Sequence, residues 1–328
     1  MQKRRLYSLL ECALILAAFL LLALRPREAS QAALEGVEIC LKSVIPSLFP
    51  FFVLSRLLLQ RSAALTRARQ GGLLSRLFGL PDSCIPAVFL GLLGGYPLGA
   101  ALSAQLYRQG SCSREEAERL LLFSCGCSPA FVFGLLGGRV FGSTLHASLC
   151  WALQLLTSLW LGALLGWGKT ASATVLHGRG SEPASGLGAA FSSSLLQGGV
   201  SALQVSAYVV FFTVMARFLP EGPLLRGLLE MTGGILQLEG FNGRSAALSA
   251  LLLGLGGLCV SFQVQGIAAQ AGLSTRRWLP CRLLHGAVSA LGFWLLCFHP
   301  VFFPLHLLLL PAAAGLAKSY RKRRKPVL

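Results

Sequence analysis

The sequence predicts an all-α, polytopic membrane protein, and three observations carry that prediction. Hydrophobic residues make up 54 % of the 328-residue chain and charged residues only 12 %, about half the charged share of a soluble domain. Apolar runs of membrane-spanning length recur from one end to the other. The remaining charges sit between those runs and at both termini. Length alone would admit one or two soluble domains, but too few charges are present to cover a water-facing surface. A disordered chain is excluded because it needs low hydrophobicity.

The first run, residues 7–24, is flanked by Lys3, Arg4, Arg5, Arg25 and Arg27. Its length and the Leu22-Ala23-Leu24-Arg25 end favour an uncleaved span over a signal peptide. Residues 28–42 carry Glu28, Glu35, Glu38 and Lys42 and read as an interfacial helix. Residues 43–60 form the second run, with Pro46 and Pro50 suggesting a break or re-entrant turn. Residues 61–80 hold Arg61, Arg67, Arg69 and Arg76 between leucines, an amphipathic basic segment expected on the cytoplasmic side.

Residues 84–108 are apolar but interrupted by Gly94-Gly95-Tyr96-Pro97-Leu98-Gly99. Ser113 is placed to cap a helix beginning Arg114-Glu115-Glu116. That helix meets a second interruption at Ser124-Cys125-Gly126-Cys127-Ser128-Pro129. A clean span covers 140–167, a polar Gly- and Ser-rich linker 168–188, and a further span 189–219. Residues 222–240 form an amphipathic or hairpin segment. The run 245–271 is broken around Gly254, Gly256-Gly257, Ser261, Gln263 and Gln265. Residues 278–298 carry Arg282 and His285 near their start, and 300–317 are kinked by three prolines. This gives eight to ten spans, most simply eight with 300–317 interfacial or re-entrant.

The organisation is read as an N-terminal span and interfacial helix (1–42), a first repeat (43–167), the linker (168–188), a second repeat (189–298) and a C-terminal apolar segment with a basic tail (299–328). Gly94-Gly95, Gly110 and Ser113-Arg114 fall on Gly256-Gly257, Gly272 and Thr275-Arg276 at a common offset of 162. The loop at 61–80 is basic, whereas 219–244 contains Glu221, Glu230 and Glu239, which favours opposite sides and an inverted repeat. Interrupted helices in repeated halves point to a solute site near mid-membrane. Freed backbone groups are tolerable there only against protein or a cavity.

Two motif groups resemble a known family. Gly95-Tyr96-Pro97-Leu98-Gly99-Ala100 followed by Glu115-Glu116-Ala117-Glu118-Arg119-Leu120 is similar to the Gate (nucleoside-recognition) domain. More narrowly the chain resembles sporulation integral membrane proteins of the YlbJ (SpoVV) type. Ile45-Pro46-Ser47-Leu48-Phe49-Pro50-Phe51, Leu229-Glu230-Met231-Thr232-Gly233-Gly234 and the stretch Gly256 to Val264 fit the same family, and the likeness covers about residues 36–298. The resemblance implies a multi-pass carrier related in architecture to concentrative nucleoside transporters. For the sporulation branch it implies movement of dipicolinate from the mother cell into the forespore. It places the substrate path at the GYPLGA stretch and the Ser124-to-Pro129 break. Where the family has an Asn pair, this chain has Cys125-Gly126, so two side-chain amides are missing.

The candidate substrate-binding residues are therefore Gly95, Tyr96, Pro97, Gly99, Ser124, Cys125, Ser128, Pro129, Ser261, Gln263, Gln265 and Arg139, with Glu230 as the ion-coupling candidate. Tyr96 could stack on a flat ring or simply sit at a helix kink. Arg139 could meet an anionic substrate or snorkel from a helix end. Gln263 and Gln265 could contact solute or only join helices. Glu230 could take an ion or proton, or sit on a solvated helix face.

No cofactor is expected. Cys125-Gly126-Cys127 is not a zinc-ligand spacing, and the five histidines show no ligand pattern. No nucleophile elbow, phosphate loop or dinucleotide fingerprint is present, so no enzyme is expected. The net charge of +17 reads as a topology signal facing anionic lipid rather than as a nucleic-acid surface. The expected partners are a small solute and membrane lipid, with a homo-oligomer left open. The expected location is the bacterial cell membrane, and in a sporulating cell the outer forespore membrane. A non-transporting membrane scaffold is the alternative.

Overall fold

The computed structural model describes residues 2–66, 72–171 and 186–304, with side chains from Leu9 to Leu59 in the first stretch. Arg67, Arg69, most of the polar linker and the basic C-terminal tail lie outside the described residues. The described residues form helices and connecting turns throughout. Helix is the form that satisfies its own backbone groups within one segment in lipid.

Helix α1 (Gln2–Leu24) precedes α2 (Pro26–Ile39), which runs through a π-helical turn (Cys40–Val44) straight into α3 (Ile45–Thr66). The expected interfacial helix at 28–42 is therefore the first half of one long rod. Pro46 and Pro50 do not break it. A proline evicts the carbonyl four residues earlier, and the π turn just before Pro46 supplies the wider register that accommodates this.

Next come α4 (Leu73–Phe78), a short 3-10 turn (Asp82–Cys84), and the pair α5 (Ile85–Gly94) and α6 (Leu98–Arg108). This pair is a hairpin. A methyl group added at Gly91 would lie 2.8 Å from the Gly99 Cα, an approach that one continuous helix would forbid. The tip turns at Gly95, whose φ of +85° suits glycine, followed by a cis Tyr96-Pro97 bond.

Helix α7 (Arg114–Phe123) opens with the expected Ser113 cap. The cap is a reciprocal box in which Ser113 N donates to Glu116 Oε2 at 2.7 Å and Glu116 N donates to Ser113 Oγ at 3.4 Å. The backbone is irregular from Ser124 to Ser128 and resumes as α8 (Pro129–Val132) and a π segment (Phe133–Val140). Helix α9 (Thr144–Gly166) completes the half.

The second half repeats the order. A long helix, α10 (Leu187–Arg217), leads to a hairpin of α11 (Pro223–Leu229) and α12 (Met231–Ile235). Here a methyl at Gly234 would lie 2.2 Å from the Gly227 Cα. After it comes α13 (Gly243–Leu255), also opened by a capping box, between Asn242 and Ser245. Gly256 and Gly257, both with φ near +70°, break it from α14 (Gly257–Gln270). Helix α15 (Trp278–Phe298) closes the half.

Each half is thus long helix, hairpin, capped broken helix, long helix. The correspondence differs from the offset of 162 read in the sequence. That offset lays the tip of one hairpin on the break of a spanning helix. Glycine pairs mark both kinds of interruption, so spacing alone matched unlike elements.

The halves are inverted, as loop charge favoured. The α2–α3 rod and α10 pack antiparallel. Arg217 pairs with Glu35 at 2.8 Å at one end, and Arg56 donates to Gln197 at 2.6 Å toward the other. Between them, a methyl at Gly36 would lie 2.9 Å from the Val210 Cα. One membrane face gathers Gly79 against Lys169 and Ser274 N donating to Glu118. The opposite face gathers Phe141, His146 and Phe298 around Phe241. The α5–α6 hairpin enters from the first face and the α11–α12 hairpin from the second.

Five helical stretches are long and apolar enough to cross a bilayer: Pro26–Leu59, Thr144–Gly166, Leu187–Arg217, Gly243–Gln270 and Trp278–Phe298. The apolar part of α1 and the broken α7–α8 stretch read as two more crossings, seven among the described residues. Of the runs counted as spans in the sequence, 84–108 turns back as a hairpin. Beyond the 3-10 turn Pro300–Phe302 and Phe303 and Pro304, the segment 300–317 lies outside the described residues.

Candidate functional site

Each hairpin seats on its own half's helix break. Methyl groups added at Gly91 and Gly99 would lie 2.5 and 2.3 Å from the Ser124 carbonyl oxygen, so α5–α6 closes on the first break. In the second half, a methyl at Gly257 would meet the Gly227, Leu228 and Leu229 carbonyls at 3.0–3.2 Å. Small residues allow this approach of backbone to backbone inside a membrane protein.

Several of the freed backbone groups are then satisfied from the opposite half, and one from within the same half. Tyr96, at the tip of the first hairpin, donates its hydroxyl to the Leu253 carbonyl at 3.2 Å, at the end of α13. The Cys127 thiol points to the same carbonyl at 3.6 Å. Reciprocally, Arg282 on α15 donates Nη1 to the Cys125 carbonyl in the first break at 2.6 Å. Trp151 donates to the Cys127 carbonyl at 3.3 Å. In a dry interior each such group would otherwise cost on the order of several kcal/mol.

A cavity of about 40 Å³ lies where the two hairpins and the rod converge. Its polar lining is Ser47, Tyr96, Ser128, Glu230, Thr232 and Gln263, and its apolar wall includes Val44, Leu48, Phe131 and Val205. That volume holds roughly three waters. A ring-sized solute would require the hairpins to part.

Glu230 is 3 % exposed and caps α12. Its carboxylate accepts from Thr232 N at 3.0 Å and Gly233 N at 2.7 Å. The solvated-face alternative for Glu230 is therefore excluded. Ser128 caps α8 by accepting from Phe131 N. The Gln263 amide nitrogen contacts Cys259 Sγ at 3.3 Å, while its Oε1 is buried without a partner.

Of the residues singled out in the sequence, Tyr96, Ser128, Gln263 and Glu230 share this cavity. Gly95, Pro97, Gly99, Ser124 and Cys125 are buried beside it and shape the backbone rather than its wall. Pro129 begins α8 and is half-buried. Ser261 binds the Gly257 carbonyl and receives the Trp278 indole N–H at 3.1 Å. Gln265 and Arg139 are exposed and do not line it. Gln265 lies two residues from Gln263, which on a helix turns it to another face. Arg139 ends the π segment at the second membrane face, the snorkelling position.

Sequence reading missed Ser47, Cys127, Thr232 and Cys259 as lining residues. All four lie inside stretches the sequence singled out, Ser47 in 45–51, Cys127 in 124–129, Thr232 in 229–234 and Cys259 in 256–264, but nothing local marked them as lining residues. Arg282 was noted but not assigned, and its role depends on a carbonyl 157 residues away.

Two inverted halves, each a hairpin folded onto a broken helix, define a polytopic integral membrane protein with a small, mainly apolar cavity between them that a few polar side chains line. The chain is similar to the sporulation integral membrane protein YlbJ of Bacillus subtilis (strain 168), at 25 % identity over 332 aligned residues, covering 86 % of this chain and 80 % of that protein. This likeness supports the YlbJ-type resemblance read from the motifs. No family model matches it, and no solved structure does.

Proposed function

We propose that this protein is a membrane transporter of a small, anionic, aromatic metabolite, with dipicolinate in spore formation the first candidate and nucleosides the second. The observation that carries the reading is the convergence of two hairpins, entering from opposite faces, on one small cavity that is mainly apolar with a few polar groups, Glu230 among them, and is flanked by two helix breaks. That arrangement suits alternating access. Parting one hairpin would open the cavity to one face while the other hairpin keeps it sealed. The similarity to a sporulation protein supports the setting, which we read as the outer forespore membrane. The sequence and cavity support a carrier rather than a catalyst, and we take Glu230 as the candidate coupling group because it is the acid in the cavity wall.

The test is uptake into proteoliposomes. Wild-type protein is expected to accumulate pyridine-2,6-dicarboxylate, and Ser128→Trp, which fills the cavity, is expected to abolish uptake while still inserting in the membrane. Spores lacking the gene are expected to be poor in dipicolinate, and a normal content would refute the sporulation assignment. A purified protein that moves no solute but retains a stoichiometric protein partner would favour a scaffold.

A further inference from the structure

Arg282 is fully buried, at 0 % exposure, four residues into a membrane-spanning helix. No acidic side chain pairs with it among the described residues. Its Nη1 donates to the Cys125 carbonyl at 2.6 Å. Its Nε and Nη2 are buried with no hydrogen-bond partner. These two donors are not a random pair. They form one edge of the planar guanidinium, with two parallel N–H groups at the spacing of a carboxylate's oxygens. Propping the Cys125 carbonyl requires one donor, so that role leaves the open edge unexplained.

The surroundings are built for a charge. The guanidinium carbon lies 5.3 Å from the Trp278 ring centroid and 5.7 Å from that of Tyr96. Both rings favour a cation over their faces, which offsets part of the cost of placing a guanidinium there. The Tyr96 ring is neighbour to both Arg282 and the cavity, whose wall it lines. Tyr96 is held through its hydroxyl, which lies 3.2 Å from the Leu253 carbonyl and 3.5 Å from that of Gly254, at the tip of the hairpin that would move.

We propose that the Nε–Nη2 edge of Arg282 is the subsite for a carboxylate of the carried solute, and that Tyr96 closes it off from the cavity in the present conformation. The proposal rests on the transporter reading and deepens it by naming the charged group recognised. One carboxylate would bind the fork bidentately, giving the buried cation the counter-charge it lacks. The ring that bears it would then lie in the cavity.

The experiment measures binding by thermal shift and uptake in proteoliposomes, using pyridine-2,6-dicarboxylate, its uncharged diamide and uridine as probes. Wild-type protein is expected to bind the dicarboxylate at least about tenfold more tightly than the diamide, since loss of a charged bidentate pair is worth that or more. Arg282→Lys keeps the charge but not the fork and is expected to raise KM for the dicarboxylate about tenfold or more with a smaller change in kcat. Equal dicarboxylate affinity in a folded Arg282→Lys protein would overturn the subsite. Should Arg282→Lys fail to insert, the wild-type comparison decides alone: equal binding of dicarboxylate and diamide overturns the proposal. Transport of uridine that is indifferent to Arg282→Lys, with no dicarboxylate binding, would overturn this subsite and leave the transporter reading standing. No binding or transport of any probe would end both.

Discussion

At the scale of the residue, the centre of this protein is held by side chains that answer backbone groups. Glu230 shows this most directly. Its carboxylate accepts from two backbone N–H groups at a hairpin tip. Glu230→Ala would orphan both, at about 1–3 kcal/mol for each buried donor. Its melting temperature in detergent is expected to fall clearly, with Glu230→Gln between it and the wild type, because one amide oxygen keeps a single acceptor. A Glu230→Ala protein that melts like the wild type would show that the cap contributes nothing. The Leu229-to-Gly234 motif identified Glu230 in the sequence. Arg282 was visible as a charge in an apolar run, but its open carboxylate-sized edge was not, because that edge is defined by the partners that fail to reach it.

At the scale of the element, chain breakers announced where helices stop but not whether the chain turns back or crosses on. Gly94-Gly95 and Gly256-Gly257 look alike in sequence. The first pair leads into a hairpin because Gly91 and Gly99 allow two short helices to touch and both to close on Ser124. The second interrupts one spanning helix. The hairpin reading makes a sharp prediction. Gly99→Ala places a methyl group 2.3 Å from the Ser124 carbonyl oxygen, where neither partner is a flexible side chain. We expect a loss of upwards of about 2 kcal/mol, at the overpacking scale or beyond. The control is Gly188→Ala, where nothing lies within 4 Å and helix propensity favours alanine slightly. Equal melting temperatures for the two variants would contradict the hairpin. The caps at Ser113 and Asn242 are local, and sequence alone indicated the first of them.

At the scale of the whole molecule, the antiparallel packing of the α2–α3 rod against α10 fixes the two halves as inverted. Lys169 and Glu221 then sit on opposite membrane faces. Cysteines introduced at these two positions, with Cys12 and Cys297 replaced, are expected to react with a membrane-impermeant maleimide from opposite sides. Labelling of both from one side would overturn the inversion. The sequence by itself determined the class of protein, because composition and apolar run length report directly on the solvent. It also marked the interruptions at Gly94-Gly95, Ser124 to Pro129 and Gly256-Gly257, because Gly and Pro act on their own backbone, but it expected one at Pro46 and Pro50 that the rod does not have. Only the tertiary structure decided which interruptions are hairpins, that 26–66 is a single rod, and that Tyr96 and Arg282 each serve the break of the other half. The reason is physical. A broken helix frees donors and acceptors locally; Ser128 and Glu230 answer theirs from nearby, but the groups that reach the Cys125 and Leu253 carbonyls come from more than a hundred residues away, and no local pattern encodes that distance.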